Sequence, residues 1–114
     1  MTIEKISSPA FTLLEPTGEI DLHSAGPLKW ELQSCAESRT QVVLMDFRRV
    51  GYIDSSGLAI LLEYLKESAK FGGKFALFGL ERKVATLFEL VRLDELFVIA
   101  EDEAGALARL GIAP

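Results

Sequence analysis

The chain has 114 residues, of which 49% are hydrophobic and 25% are charged, and it carries a formal net charge of −5 at pH 7. This length suits one domain and leaves no room for two independent hydrophobic cores. No cluster of lysine and arginine exceeds the pair Arg48-Arg49, and the net negative charge repels phosphates. We therefore expect neither nucleic-acid binding nor direct contact with a membrane surface.

The cysteine content and the N-terminal sequence indicate a cellular compartment. Cys35 is the only cysteine, so an internal disulfide is impossible and a reducing compartment fits the composition. The residues from Met1 to Lys5 lack the long apolar stretch of a signal peptide. No apolar run approaches the roughly 20 residues that are needed to span a bilayer. We therefore expect a cytoplasmic protein.

Hydrophobic periodicity and turn residues predict nine elements, in the order strand, strand, helix, strand, helix, strand, helix, strand, helix. The five strands are predicted at residues 3–6, 11–14, 41–47, 74–78 and 96–99. The four helices are predicted to follow residue 24, to cover residues 58–69 and 84–91, and to begin again at residue 101.

Residues with strong backbone preferences mark the predicted boundaries. Ser24 is a predicted N-cap, and Pro27 suits the first turn of the first helix. Pro16-Thr17-Gly18 is predicted to interrupt or end the second strand. Residues 48–51 are predicted to form a loop, and Gly72-Gly73 is predicted to end the second helix in the left-handed conformation.

The alternation of strands and helices predicts the fold class. Such alternation indicates parallel strands joined by helical crossovers, while the two opening strands can pair antiparallel. Residues 42–45 form a continuous apolar run, which is typical of a central strand covered on both faces. We therefore predict an α/β fold, with a single domain over residues 1–114. Its sheet would be mixed and mostly parallel, with four to five strands and about four helices packed mainly on one face.

The segment Asp54-Ser55-Ser56-Gly57-Leu58 follows a predicted strand region and opens a predicted helix. Aspartate and serine at a helix start accept hydrogen bonds from free backbone amides, so an ordinary helix cap would explain part of this sequence. Gly57 would let the backbone pass close to a docked partner, and the two hydroxyls would be presented on a rigid element. Local sequence alone leaves both interpretations open.

A wider pattern resembles the STAS domain family, named after sulfate transporters and anti-sigma-factor antagonists. The resemblance runs in order along nearly the whole chain, and it is most specific at the Asp-Ser-Ser-Gly-Leu segment. The segments that match are residues 13–21 with their Gly-Glu-hydrophobic-Asp turn, 43–47, Val50, 52–58, Gly72-Gly73, 84–90, Leu93, Leu96-Phe97 and Ile99.

Within that family, a short freestanding chain with this motif is similar to the bacterial anti-sigma factor antagonists. The resemblance implies a STAS-like fold and a non-enzymatic function in partner switching. The unphosphorylated chain would bind an anti-sigma factor that is itself a serine protein kinase, and so free a sigma factor. Phosphorylation would release the chain, and a serine phosphatase would reset it. The phosphorylation site maps to Ser55, with Ser56 as the alternative. The implied partner-binding residues are Asp21, Asp54, Ser55, Ser56, Gly57 and Leu58.

Other functions of the same family stay open. The chain could be a STAS regulatory subunit of a transporter ATPase complex, or a subunit of a stress-sensing assembly in which STAS domains stack. It could also regulate an output other than a sigma factor, such as secretion or motility, by the same partner switching. The double serine favours the switch, because a purely structural subunit does not need it.

Enzymatic and cofactor-dependent functions find little support in the sequence. His23, Asp54 and Ser55 could be imagined as a hydrolase triad, yet there is no Gly-x-Ser-x-Gly elbow. One histidine and one cysteine do not supply a metal cluster, and the glycines do not form a phosphate-binding loop. We therefore expect no enzyme, no catalytic residues, no metal and no cofactor, with nucleotide binding as a remote alternative.

Overall fold

The computed structural model describes residues 1–112, so Ala113 and Pro114, which the predicted domain includes, lie outside the described residues. The six strands are β1 Thr2–Ser7, β2 Thr12–Ile20, β3 Val42–Asp46, β4 Val50–Ile53, β5 Lys74–Phe78 and β6 Val98–Ala100. The four α-helices are α1 Gly26–Glu37, α2 Ser55–Ala69, α3 Arg82–Leu90 and α4 Glu103–Leu110, and a short 3-10 helix covers Leu93–Glu95.

The strands form one mixed sheet in the order β1-β2-β3-β5-β6. β1 pairs antiparallel with β2, and the other pairs along this path are parallel. β4 pairs parallel with β2, beyond the point where β3 ends. The prediction of an α/β fold with a mixed, mostly parallel sheet is confirmed, but the sheet has six strands and not four to five.

Both faces of the sheet are covered, which explains why every residue of β3 is buried. On one face α1, α2 and α3 contribute Leu28, Leu61 and Phe88 to a core that includes Val43 and Met45. On the other face α4 packs Ala106 and Leu107 against the alternate residues of the same strands, such as Leu44 and Phe78. Three of the four helices therefore lie on one face, as predicted.

β2 continues through Pro16, so the prediction that Pro16-Thr17-Gly18 interrupts or ends this strand is wrong. The pairing of β2 with β3 stops at Leu14, and its pairing with β4 starts at Gly18. Pro16 lies between these two ladders, where β2 changes its neighbour. A missing backbone N–H breaks no hydrogen bond with β3 or β4 there, so the strand tolerates proline.

Two boundary predictions are wrong, while two others are confirmed. Ala25, and not Ser24, is the N-cap of α1, and no side chain caps this helix. The Ser24 hydroxyl lies 2.6 Å from the Glu19 carbonyl oxygen instead. Residues 48–51 are not all loop, since β4 begins at Val50. Pro27 does lie in the first turn of α1, and Gly72 adopts a left-handed φ of 74° just after α2 ends.

Candidate functional site

The predicted site lies where β4 ends and α2 begins. Asp54 has an extended backbone and is the N-cap of α2, and its Oδ1 accepts a hydrogen bond from the Gly57 amide at 3.0 Å. The Leu58 amide donates to the Asp54 carbonyl at 3.0 Å. Ser55 is therefore the first residue of the helix and Ser56 the second. The interpretation of Asp54 as a helix cap is confirmed, and the two serines are held at the helix start.

Asp54 also joins α2 to the loop between β2 and α1. Its Oδ2 accepts a hydrogen bond from the Leu22 amide at 3.1 Å, and its own amide donates to the Ile20 carbonyl at 3.1 Å. One carboxylate therefore fixes two segments that are distant in the sequence. This pairing places Asp21, the other acidic residue of the predicted site, in the loop beside the start of α2.

Asp21 organises its own loop. Its Oδ1 accepts hydrogen bonds from the Ser24 hydroxyl at 2.8 Å, the Ser24 amide at 2.9 Å and the His23 amide at 3.0 Å. The hydrogen bond from the Ser24 hydroxyl is the main cause that lowers the pKa of Asp21 below its usual value. Asp21 is thus ionised at neutral pH and adds a negative charge to this end of the domain.

Gly57 is buried and serves packing inside the domain. A Cβ added there would lie 2.7 Å from Ile53 Cγ1, 2.8 Å from Ile20 Cγ2 and 2.8 Å from the Ile20 carbonyl oxygen. The first turn of α2 can therefore approach the ends of β2 and β4 only because residue 57 has no side chain. Leu58 is also buried, with 7% of its surface exposed. Both residues are buried in the free chain, and their predicted part in partner binding stays a prediction.

The accessible surface at this end of the domain combines hydroxyls with apolar side chains. Ser55 is exposed and Ser56 is half-buried. Leu22 is 71% exposed and Tyr52 is 50% exposed, so both can contribute apolar contact surface. Leu22 donates its amide to Asp54, and Tyr52 lies in β4, which ends just before Asp54. We call Leu22, Tyr52, Ser55 and Ser56 the α2-start surface.

The sequence analysis missed Leu22 and Tyr52 because their positions depend on how β2 pairs with β4. Tyr52 pairs with Glu19 and Ile53 with Ile20 in that ladder, so the loop that follows β2 brings Leu22 to Asp54, directly after β4. A leucine inside the polar segment Asp21-Leu22-His23-Ser24 was the one available signal.

The start of α2 has free capacity for an anion. The amides of Gly57 and Leu58 donate to Asp54, and the amide of Asp54 donates to the Ile20 carbonyl. Within residues 1–112, no hydrogen bond uses the amides of Ser55 or Ser56. Free amides and the helix dipole favour negative charge at an N-terminus. A phosphate on a serine hydroxyl here would thus meet attraction from the helix and repulsion from the Asp54 carboxylate.

Other chemistries lack their geometry in the part of the chain that the structure describes. Both carboxylate oxygens of Asp54 accept from backbone amides, so Asp54 does not orient His23 in a triad. Cys35 is buried, and that burial raises the pKa of its thiol, which makes it a poor nucleophile. Among residues 1–112, no group of three or more His, Cys, Asp or Glu could hold a metal ion. Nor does any helix there have the length and apolar character to cross a membrane.

Curated relatives of the chain include anti-sigma-B factor antagonists. The protein of Listeria monocytogenes is 30% identical over 86 residues, which are 75% of this chain and 75% of that protein. The protein of Bacillus subtilis is 30% identical over 90 residues, which are 79% of this chain and 82% of that protein.

Solved structures agree in fold. A putative anti-sigma factor antagonist from Thermotoga maritima has a TM-score of 0.86 at 22% identity, over 96% of this chain and 94% of that one. The phosphorylated form of the Bacillus cell fate determinant SpoIIAA has a TM-score of 0.73 at 17% identity, over 96% of this chain and 99% of that one. The family model of the STAS domain matches residues 2–106 of this chain. The chain therefore belongs to the STAS domain family, and its homologues include anti-sigma factor antagonists.

Proposed function

We propose that this chain is an anti-sigma factor antagonist that works by partner switching, with Ser55 as its phosphorylation site. The observation that supports this best is the position of Ser55, an exposed hydroxyl on the first residue of a capped helix. The curated relatives are named as antagonists of an anti-sigma factor, and a protein of the same fold is described in a phosphorylated form. The proposed partners are an anti-sigma factor with serine kinase activity and a serine phosphatase, in the cytoplasm.

The geometry at Ser55 gives such a switch a physical basis. A phosphate adds about −1.5 to −2 charges at neutral pH. The free amides of the helix start and the helix dipole can balance part of that charge, so the domain need not unfold. A bound partner, in contrast, must desolvate the new charge beside Asp54 and Asp21. A penalty of about 2–3 kcal/mol at the interface weakens binding roughly 30- to 150-fold.

Exposure favours Ser55 over Ser56 as the acceptor. A kinase must place the hydroxyl in line with the γ-phosphate of ATP, which needs free access to the oxygen. Ser55 is exposed, whereas Ser56 is half-buried against the first turn. Ser56 is therefore proposed as part of the contact surface, together with Asp54 and the apolar side chains of Leu22 and Tyr52.

A kinase assay with site mapping tests the proposal. The purified chain is incubated with ATP and, in turn, with each purified serine-kinase anti-sigma factor of the same organism. Trypsin should release residues 50–66 as one peptide, since Arg49 and Lys66 flank a stretch without Lys or Arg, so fragmentation within that peptide must separate Ser55 from Ser56.

We expect phosphate on Ser55 in the wild type and in Ser56→Ala, and none in Ser55→Ala. Ser56→Ala is the matched control, because it removes the adjacent hydroxyl and leaves the proposed acceptor. Phosphorylation of Ser55→Ala at the wild-type rate would contradict the assignment to Ser55. If no anti-sigma factor binds or modifies the chain, and a transporter ATPase retains it instead, the proposed function is wrong.

A further inference from the structure

A groove lies between β4 and α3, next to the α2-start surface, and the proposed function does not yet use it. Its volume is about 260 Å³. Pockets for drug-sized ligands measure roughly 300–1,000 Å³, so this groove better fits side chains of another protein. It is lined by Gly51, Tyr52 and Ile53 of β4 and by Lys83, Val84 and Leu87 of α3.

The lining combines an apolar floor with a single positive charge. Ile53 and Val84 are almost fully buried, while Tyr52 is half exposed at the rim. Lys83 is the only charged residue among the six that line the groove. Gly51 leaves room for a side chain at the groove, since a Cβ there would meet only Glu81 Oε2, at 3.7 Å.

The main chain of β4 also has an unused edge. Among the described strands, β4 pairs only with β2, so its second edge has no partner strand. Natural proteins usually cover or blunt such an edge, and extended segments of binding partners often pair with one. β4 is short, yet three of its four residues line the groove. The groove therefore lies beside backbone groups that can bind an extended segment.

The charges at the start of α3 also favour a binding partner. Arg82 and Lys83 open this helix, and no acidic residue stands in its first turn. Cations at a helix N-terminus oppose the helix dipole and cost about 0.3–1 kcal/mol each. The chain as a whole has a net charge of −5, and Arg82-Lys83 is one of its two pairs of adjacent cations, directly preceded by the N-cap residue Glu81. Their placement suits an acidic group that comes from outside the domain.

We infer that this groove binds an extended segment of the anti-sigma factor, which places an apolar side chain over Ile53 and Val84 and a carboxylate beside Lys83. The inference rests on the proposed function and adds a second contact region to it. Ile53 connects the two regions, because it lines the groove, directly precedes Asp54 and packs under Gly57. A phosphate on Ser55 would thus stand at the end of the same contact.

Two variants test the groove with different chemistry. Gly51→Leu fills it, and the φ of Gly51 lies outside the left-handed region, so a side chain is tolerated there. Lys83→Glu reverses its only charge. Lys66→Glu is the matched control, because Lys66 is exposed in the last turn of α2, at the opposite end of that helix from Ser55. Thermal unfolding by circular dichroism verifies that each variant is folded.

The measurement is the affinity for the anti-sigma factor that phosphorylates the wild-type chain in the kinase assay. We expect Gly51→Leu and Lys83→Glu to weaken binding at least tenfold, and Lys66→Glu to change it less than twofold. Hydrogen exchange at the amides of residues 51–53 should slow in the complex. If both groove variants bind like the wild type, the groove inference is wrong while the proposed function stands. If they lose binding but phosphorylation leaves the affinity unchanged, the groove inference stands and the switch fails. If no anti-sigma factor binds the wild type, both are overturned.

Discussion

Replacing Gly57 by alanine tests whether this glycine serves the fold or a partner. In an ordinary helix, the change from glycine to alanine stabilises by up to about 1 kcal/mol. At Gly57 the added methyl would lie within 2.8 Å of two Ile side-chain carbons and of the Ile20 carbonyl oxygen. The side chains can shift, but the carbonyl oxygen belongs to β2, where Ile20 pairs with Ile53.

The expected magnitude follows from these opposing effects. Overpacking in a filled core costs about 1–3 kcal/mol, and the upper end applies when backbone must move. After subtracting the gain of about 1 kcal/mol in helix propensity, we expect Gly57→Ala to lower the free energy of unfolding by about 2 kcal/mol. For a domain of this size, that loss lowers Tm by about 8 °C, at roughly 4 °C per kcal/mol.

Thermal and urea unfolding of the isolated chain, followed by circular dichroism, measure this loss without any partner. Gly51→Ala is the control, since a Cβ at Gly51 would meet only Glu81 Oε2, at an ordinary contact distance of 3.7 Å. We expect this control to keep the wild-type Tm or to raise it. A Gly57→Ala variant as stable as the wild type would refute the packing explanation and would return Gly57 to the set of docking residues.

Two further predictions concern carboxylates. Asp54→Ala should lower the free energy of unfolding by about 1–2 kcal/mol, because the cap on Gly57 and the link to Leu22 are both lost. Asp54→Asn should lose less than that, since an amide oxygen can still accept from Gly57, and equal losses in urea unfolding would contradict the cap. Burial acts to raise the pKa of Asp46, but hydrogen bonds from Arg48 outweigh it and the pKa is lowered. The unfolded chain therefore takes up this proton first as the pH falls. Asp46→Asn should be about 1–2 kcal/mol less stable than the wild type at pH 7, and the difference should shrink below about pH 4. A constant difference between pH 7 and pH 3 would contradict this.

The fold could be predicted where local sequence and tertiary position agree. The apolar run of β3 is typical of a central strand covered on both faces, and the structure places it in the middle of the sheet. β4 was missed because it has four residues and includes a glycine, so its own sequence gives a weak signal. It is a strand because β2 extends past β3 and offers a free edge there.

The sequence predicted the local part of the candidate site, but not its contacts between segments that are distant in the sequence. The motif located Asp54 at a helix start, and the structure confirms that cap. The contact of Asp54 with Leu22 and the groove beside Lys83 depend on the pairing of β2 with β4 and on the docking of α3. The sequence could not decide whether Gly57 serves packing or partner docking, because a single sequence does not show which atoms lie close to the Cα of a glycine.

The most direct test of partner switching compares the affinities of two forms of this chain for its anti-sigma factor. The chain phosphorylated on Ser55 is separated from the unphosphorylated chain, and each form is titrated into the anti-sigma factor by calorimetry. We predict tight binding of the unphosphorylated form and an affinity about 30- to 150-fold lower after phosphorylation, which corresponds to 2–3 kcal/mol. Equal affinities of the two forms would contradict the account, whatever the site of modification.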